Sequence, residues 1–267
     1  HPYQRSACNA LCIAAERLGA RCADRLVCVA DAMRRQALDA GVGRPDQYLT
    51  IYSGMEVAAF LEADRHRERA RRALGFADRD VVIGKIARLF HLKGHRYVLE
   101  AAPRIIERCP QAKFLFVGDG ILREKLQRQA QRAGVADRVV FAGLVDAARI
   151  PEMIGAMDLV VHASLREGLP RAVVQALLGG RAVVCYAVDG APEVVLDGVT
   201  GRLVPPRSVE ELADAVVELA TDPERARRMA LEAGRRFADR FRAETMVRQL
   251  ENLYHFLLAA KGRAPRA

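Results

Sequence analysis

Short runs of Val, Ile, Leu and Phe, bounded by Gly, Pro or charge, alternate along this chain with longer segments in which apolar residues return every three or four positions. The first pattern is that of strands buried on both faces, and the second that of amphipathic helices. Residues 8–23 predict a helix, 24–29 a strand, 31–40 a helix capped by Asp31, and 48–52 a strand ending at Ser53-Gly54. A strongly charged segment, Asp64-Arg-His-Arg-Glu-Arg-Ala-Arg-Arg72, predicts a solvated surface helix over 62–74. Beyond it the pattern gives strand 81–87, helix 97–109, strand 113–117, helix 121–133, strand 138–141, helix 147–156, strand 158–162, helix 170–178, strand 182–186, a short helix near 191–197 and strand 201–204. Ser208 and Glu211 form a capping box that starts a helix over 209–220, and helices 223–238 and 243–260 close the chain.

Strands alternating with helices at this spacing predict an α/β fold, a doubly wound parallel sheet of about six strands over residues 58–245. The two strands within residues 1–57 are too few for an independent domain, so that piece reads as the remnant of an earlier α/β domain. The chain opens on His1 in place of Met, and the expectation is that it is a fragment of a longer protein.

The segment Ser164-Leu-Arg-Glu-Gly-Leu-Pro-Arg-Ala-Val-Val-Gln-Ala-Leu-Leu-Gly-Gly180 organises the rest. It is the crossover between two Val-rich strands. Pro170 suits a first helical turn and Gly179-Gly180 the far end. A helix that starts above the strand ends turns free backbone N–H groups towards whatever binds there, which suits an anion.

Composition narrows the partners. With 51% apolar residues and no apolar run long enough to span a bilayer or resemble a signal peptide, the chain is globular. The 42 basic against 33 acidic residues give a net charge of +9, which favours a phosphorylated substrate or peripheral contact with an acidic membrane. Nucleic acid is not expected, because aromatics make up only 6% and Trp is absent. The six Cys (8, 12, 22, 28, 109 and 185) contain no C-x-x-C pair and read as small buried hydrophobes in a reducing cytoplasm. His91, His95 and His162 lack metal-ligand spacing and read as loop residues, so no metal is expected.

Three predicted strand ends carry chemistry, where ligands of open parallel sheets bind. Arg88-Leu-Phe-His-Leu-Lys-Gly94 sets two cations on one loop. Gly118-Asp-Gly120 lets a backbone turn tightly or approach a ligand, without the third glycine of a dinucleotide site. Arg166-Glu-Gly-Leu-Pro170 offers a carboxylate beside the helix start. Cations and helix N-termini suit a phosphate pair, and a lone carboxylate beside them suits sugar hydroxyls.

These motifs, in this order, resemble the donor-binding half of glycosyltransferase family 4, the retaining enzymes of the GT-B fold. The likeness runs from about Cys22 to Leu258 and takes in Tyr52-Ser-Gly-Met-Glu56, Gly84 to Arg88 with Lys93-Gly94, Val117-Gly-Asp-Gly120, Phe141-x-Gly143, Glu167-Gly-Leu-Pro170, Gly190-x-Pro-Glu193 and Asp197-Gly-x-Thr-Gly201. The resemblance implies that Arg88, Lys93, Gly168 and Leu169 bind the donor diphosphate. It implies that Glu167 is the catalytic-site carboxylate on the donor sugar, and that Gly118, Gly120, Gly143, Leu144, Val145 and Gln175 surround the nucleoside. Gln175 stands where the family motif has a second Glu on the ribose. It further implies that 1–57 belongs to an acceptor-binding domain, that His1-Pro-Tyr-Gln follows a catalytic histidine, and that the helix in 246–267 folds back towards that domain. The expected activity is transfer of a hexose from a nucleotide diphosphate sugar, such as a UDP-sugar, to a cell-envelope glycan or lipid in the cytoplasm or on the inner membrane face, without cofactor. The fragment alone is expected to bind donor without turning it over. A non-catalytic nucleotide-sugar-binding module and a GT-B fold sugar-nucleotide epimerase are the alternatives.

Overall fold

The structure, a computed structural model, describes residues 7–262. The His1-Pro-Tyr-Gln segment and the end of the basic tail lie outside them. By internal contacts the chain divides into two compact units, residues 1–56 with 239–267, and residues 57–238.

In the first unit, helix Ala7–Cys22 leads to β1 (Leu26–Cys28), helix Asp31–Asp39 leads to β2 (Tyr48–Thr50), and the two strands pair in parallel. Ala20, Ala37 and Val42 form its small buried cluster. The Gln47 amide, 3% exposed, donates to the carbonyls of Ala20 and Ala23 and so ties the loop before β2 to the end of the first helix. The sequence places the second boundary at 245, but residues 239–245 go with this unit. Met55 N–H donates to Phe241 O and Ala243 N–H to Met55 O, at 2.8 and 3.2 Å, and the Tyr52 and Phe241 rings meet edge to face. Helix Ala243–Ala260 follows.

The second unit holds one six-stranded sheet: β3 (Val81–Ile86), β4 (Ala112–Val117), β5 (Val139–Gly143), β6 (Leu159–His162), β7 (Ala182–Tyr186) and β8 (Arg202–Val204). All pairings are parallel, and the strands lie in the order β5-β4-β3-β6-β7-β8. The doubly wound sheet expected from the sequence is thus present. Ile83, Phe114, Phe116, Leu159, Val161 and Val184 pack with Leu99 and Ile105 of helix His95–Arg108 and with Leu212 and Val216 of helix Val209–Thr221. The order reverses between β3 and β6, and in open parallel sheets ligands bind at such a switch point, beyond the carboxyl ends of the strands.

Three expectations need correction. The charged helix over 62–74 is two pieces, a 3-10 turn at Ala63–His66 and helix Arg67–Leu74, and it is not wholly solvated. Arg71 is 3% exposed; its guanidinium reaches the carbonyls of Ala77, Ala156 and Asp80 and the carboxylate of Asp158. Asp158 also accepts from Arg67 and from the backbone N–H of Val82, so the charge of this helix anchors the amino ends of β3 and β6. The helix near 191–197 is a single 3-10 turn, Ala191–Glu193. Of the cysteines, Cys109 and Cys185 are buried, but Cys12 and Cys22 are exposed and Cys28 is half-buried. No helix among the described residues is long and apolar enough to cross a membrane.

Candidate functional site

The loop after β3 lies against the end of β6. Gly94, at φ +68°, sits so close to Ala163 that a Cβ there would be 1.8 Å from its carbonyl oxygen, so only glycine fits. Leu165 N–H donates to Leu92 O at 2.8 Å and fastens the same two loops. The loop after β4 lies in turn on the loop after β3: a Cβ at Gly118 would meet Ala87 O at 2.2 Å, and one at Gly120 would meet Leu89 O at 2.6 Å. Backbone packing therefore accounts for both glycines. Gly118 N–H also donates to Gly143 O at 2.8 Å, which joins the loops after β4 and β5.

This packing brings Lys93 and Glu167 together. Lys93 Nζ lies 2.7 Å from Glu167 Oε1, and His162 Nε2 lies 3.0 Å from the same oxygen. Glu167 N–H donates to Asp189 Oδ2 at 2.7 Å, with Asp189 held at φ +47°, and Gly190 N–H donates to Gly168 O at 3.2 Å. Burial would raise the Glu167 pKa, but the hydrogen bonds and charges of His162 and Lys93 outweigh it and take the carboxyl down to about 2. Glu167 is an ionised acceptor at neutral pH.

Beneath it lies a basic layer that the sequence reading missed. Lys85, on β3, is fully buried, and its ammonium has no hydrogen-bond partner among the described residues. Burial lowers its pKa to about 7, with Glu167 pulling the other way. His95 opens helix His95–Arg108 at 1% exposure, and burial with neighbouring Lys85 holds its imidazole at about 2, hence neutral. His162 is the last residue of β6 and 3% exposed, and burial lowers its pKa too. His95 and His162 are therefore not loop residues; only His91, in a 3-10 turn, is exposed. The available signals were a lysine inside an apolar strand and a histidine closing another, five residues before a glutamate.

The other expected residues are more dispersed. Arg88 is exposed, its guanidinium 5.9 Å from the Phe90 ring centre, and it makes no ion pair among the described residues. Leu169 is buried and Gly168 half-buried just before helix Arg171–Leu178. Gln175 is half-buried on that helix, and its side-chain amide makes no hydrogen bond among the described residues. Leu144 is 85% exposed and Val145 half-buried in the loop after Gly143. Among the described residues no group of His, Cys, Asp or Glu is arranged to hold a metal ion. The arrangement can hold an anion beside its cations and a backbone-lined loop, and can offer an ionised carboxylate to hydroxyl groups.

An alpha-D-kanosaminyltransferase of Streptomyces kanamyceticus is 34% identical over 197 residues, which cover 73% of this chain and 51% of that protein. A GDP-mannose-dependent alpha-(1-6)-phosphatidylinositol monomannoside mannosyltransferase of Mycolicibacterium smegmatis is 35% identical over 192 residues, covering 69% of this chain and 50% of that protein. The chain thus spans about half the length of these curated relatives. Among solved structures, Anabaena HepE in complex with UDP and glucose superposes with a TM-score of 0.85 at 28% identity, over 95% of this chain and 68% of that one. The family model of the glycosyl transferases group 1 matches residues 66–236, more than half of the chain and the whole sheet of the second unit, and the chain belongs to that family.

Proposed function

We propose that this chain carries the donor site of a retaining hexosyltransferase of family 4 type, which takes its hexose from a nucleotide diphosphate sugar. The observation that supports this most is the meeting of Lys93, His162 and Glu167 at the sheet's switch point, with Arg88 exposed on the same loop as Lys93. Arg88 and Lys93, with the backbone N–H groups of Gly168 and Leu169 at the helix start, hold the diphosphate, and Glu167 accepts from hydroxyls of the sugar. Negative charge grows on the departing phosphate as the glycosidic bond breaks, and cations placed there in advance lower that barrier. Gly118, Gly120, Gly143, Leu144 and Val145 form the nucleoside pocket, with Gln175 on the ribose. No metal or cofactor enters the reaction. The mannosyltransferase relative acts on a phosphatidylinositol mannoside, which favours a cell-envelope glycan or lipid as acceptor and peripheral contact with an acidic membrane.

Calorimetry with UDP, ADP, GDP and their hexose forms tests the reading, with UDP-glucose first because HepE was solved with it. Arg88→Ala and Lys93→Ala are each expected to weaken nucleoside diphosphate binding about tenfold or more, since a charge-assisted hydrogen bond contributes roughly 1.5–3 kcal/mol. Unchanged affinity in both variants rejects the diphosphate site.

Gln175 gives a separate test. An amide offers one acceptor oxygen, whereas a carboxylate accepts from both vicinal ribose hydroxyls. Gln175→Glu is expected to tighten nucleotide binding about fivefold, for a gain of about 1 kcal/mol, and to leave pyrophosphate binding unchanged. Equal or weaker nucleotide binding removes Gln175 from the ribose.

A further inference from the structure

We propose that His162 is a positioning residue for the donor sugar: it holds Glu167 in place while the diphosphate draws on Lys93. The inference rests on the functional reading above and deepens it.

Lys93 and His162 both donate to Oε1 of Glu167, at 2.7 and 3.0 Å, and neither touches Oε2. The carboxylate can thus be gripped by one oxygen and present the other to hydroxyl groups. The two donors are not equivalent. Lys93 stands on the loop after β3, its side chain a quarter exposed at the end of a flexible four-carbon stem, and its ammonium is free to turn towards an incoming phosphate. His162 is fixed by β6, where it pairs in register with Cys185 of β7, and its side chain is 4% exposed. It has two torsions and no room to swing. An ionised carboxylate can only accept, so the 3.0 Å contact requires the proton on Nε2. Lys85 of β3, His95 of the helix after it, Lys93 of the adjoining loop and Cys185 of β7 also surround the ring, and the hydrogen bond it makes among the described residues goes to Glu167. Burial, Lys85 and Lys93 lower the pKa of the ring while Glu167 raises it, and Nε2 carries its proton towards Glu167 in either protonation state.

The labour divides accordingly. Lys93 serves the diphosphate, and His162 keeps Glu167 aimed when Lys93 is shared. Loss of the Nε2 donor should then affect recognition of the sugar and spare recognition of the diphosphate.

The test uses the 267-residue chain and, from the calorimetric panel, the nucleoside diphosphate that binds best together with its hexose form. His162→Leu is expected to weaken nucleotide-sugar binding about tenfold or more while diphosphate binding stays within about twofold. His162→Gln, whose amide N–H reaches a position close to Nε2, is expected to recover nucleotide-sugar affinity to within about threefold. His162→Asn keeps a polar amide in the strand but falls short of the carboxylate; it should lose affinity as leucine does, and replaces that variant if leucine does not fold. Equal losses for both ligands, no loss for either, or failure of glutamine to rescue overturns the assignment. A wild-type chain that binds no nucleoside diphosphate overturns the functional reading first, and this inference with it.

Discussion

Arg71→Leu is expected to destabilise the second unit by about 3 kcal/mol, because each buried carbonyl left without its donor costs roughly 1–3 kcal/mol. Arg71 Nη1 lies 3.1 Å from Asp158 Oδ2 and 3.2 Å from Ala156 O, and Nη2 lies 2.7 and 2.5 Å from the carbonyls of Ala77 and Asp80. Leucine would fill much of the space but leave three carbonyls and one carboxylate oxygen short of a donor. Asp158 would keep Arg67 and the N–H of Val82 as partners, so its charge would not be stranded altogether. The comparison that isolates burial is Arg65→Leu. Arg65 pairs with Glu62 three residues before it, but its side chain is 71% exposed, and its loss should change stability by no more than about 0.5 kcal/mol. Chemical denaturation of the two variants measures the contrast. Equal and small effects would show that the carbonyl contacts of Arg71 do not hold the helix to the sheet.

The second large effect has the opposite sign. Lys85→Met is expected to stabilise the protein by about 1–4 kcal/mol at pH 7, because a buried, unpartnered ammonium is replaced by an apolar side chain of similar volume. The pH dependence gives an independent check. Burial lowers the Lys85 pKa from 10.5 to about 7 in the folded chain, so between those values the unfolded chain holds a proton that the folded chain has released. Stability from this group therefore climbs as pH rises from 7 towards 10.5, and is lost as pH falls through 7. In Lys85→Met that alkaline climb should be absent. Glu167 keeps both its donors in the variant, so diphosphate binding should persist. Thermal unfolding of both proteins from pH 6 to about pH 9.5 measures the effect, and parallel curves would show that Lys85 does not titrate in this window.

These two residues also show what the sequence could tell and what it could not. The six strands were legible because Val, Ile and Phe runs such as Val81-Val-Ile and Phe114-Leu-Phe-Val117 have one economical use in an alternating chain, as strands covered on both faces. That Lys93 and Glu167 lie close to one another is legible to the extent that both follow ends of strands that neighbour each other in a doubly wound sheet. Arg71 was not legible, since it lies among six other charges in 64–72, and its acceptors include a carboxylate and a carbonyl more than eighty residues later. His162 and Lys85 escaped for a related reason. Their importance comes from what stands beside them across β3 and β6, and periodicity along one strand carries no information about the neighbouring one. At Gly118 and Gly120 the structure adds a constraint that the sequence does not show, two loops meeting backbone to backbone.

That contact between loops bears on how such a site can change over evolutionary time. Gly94 against Ala163, Gly118 against Ala87 and Leu165 against Leu92 are main-chain contacts, so the shape of the crevice does not depend on the side chains at its rim. Arg88 and Leu144 stand exposed and Gln175 half-exposed on this frame, and the side chains of Arg88 and Gln175 hold nothing else together by hydrogen bond or ion pair. Under the proposed function, substitution at Leu144 or Gln175 should alter which base or ribose is accepted, and substitution at Arg88 the hold on the diphosphate, with little loss of stability, usually within about 0.5 kcal/mol for exposed positions. A lineage could then exchange one donor for another by single steps, each of which folds, while a change at Gly94 would close the route at once.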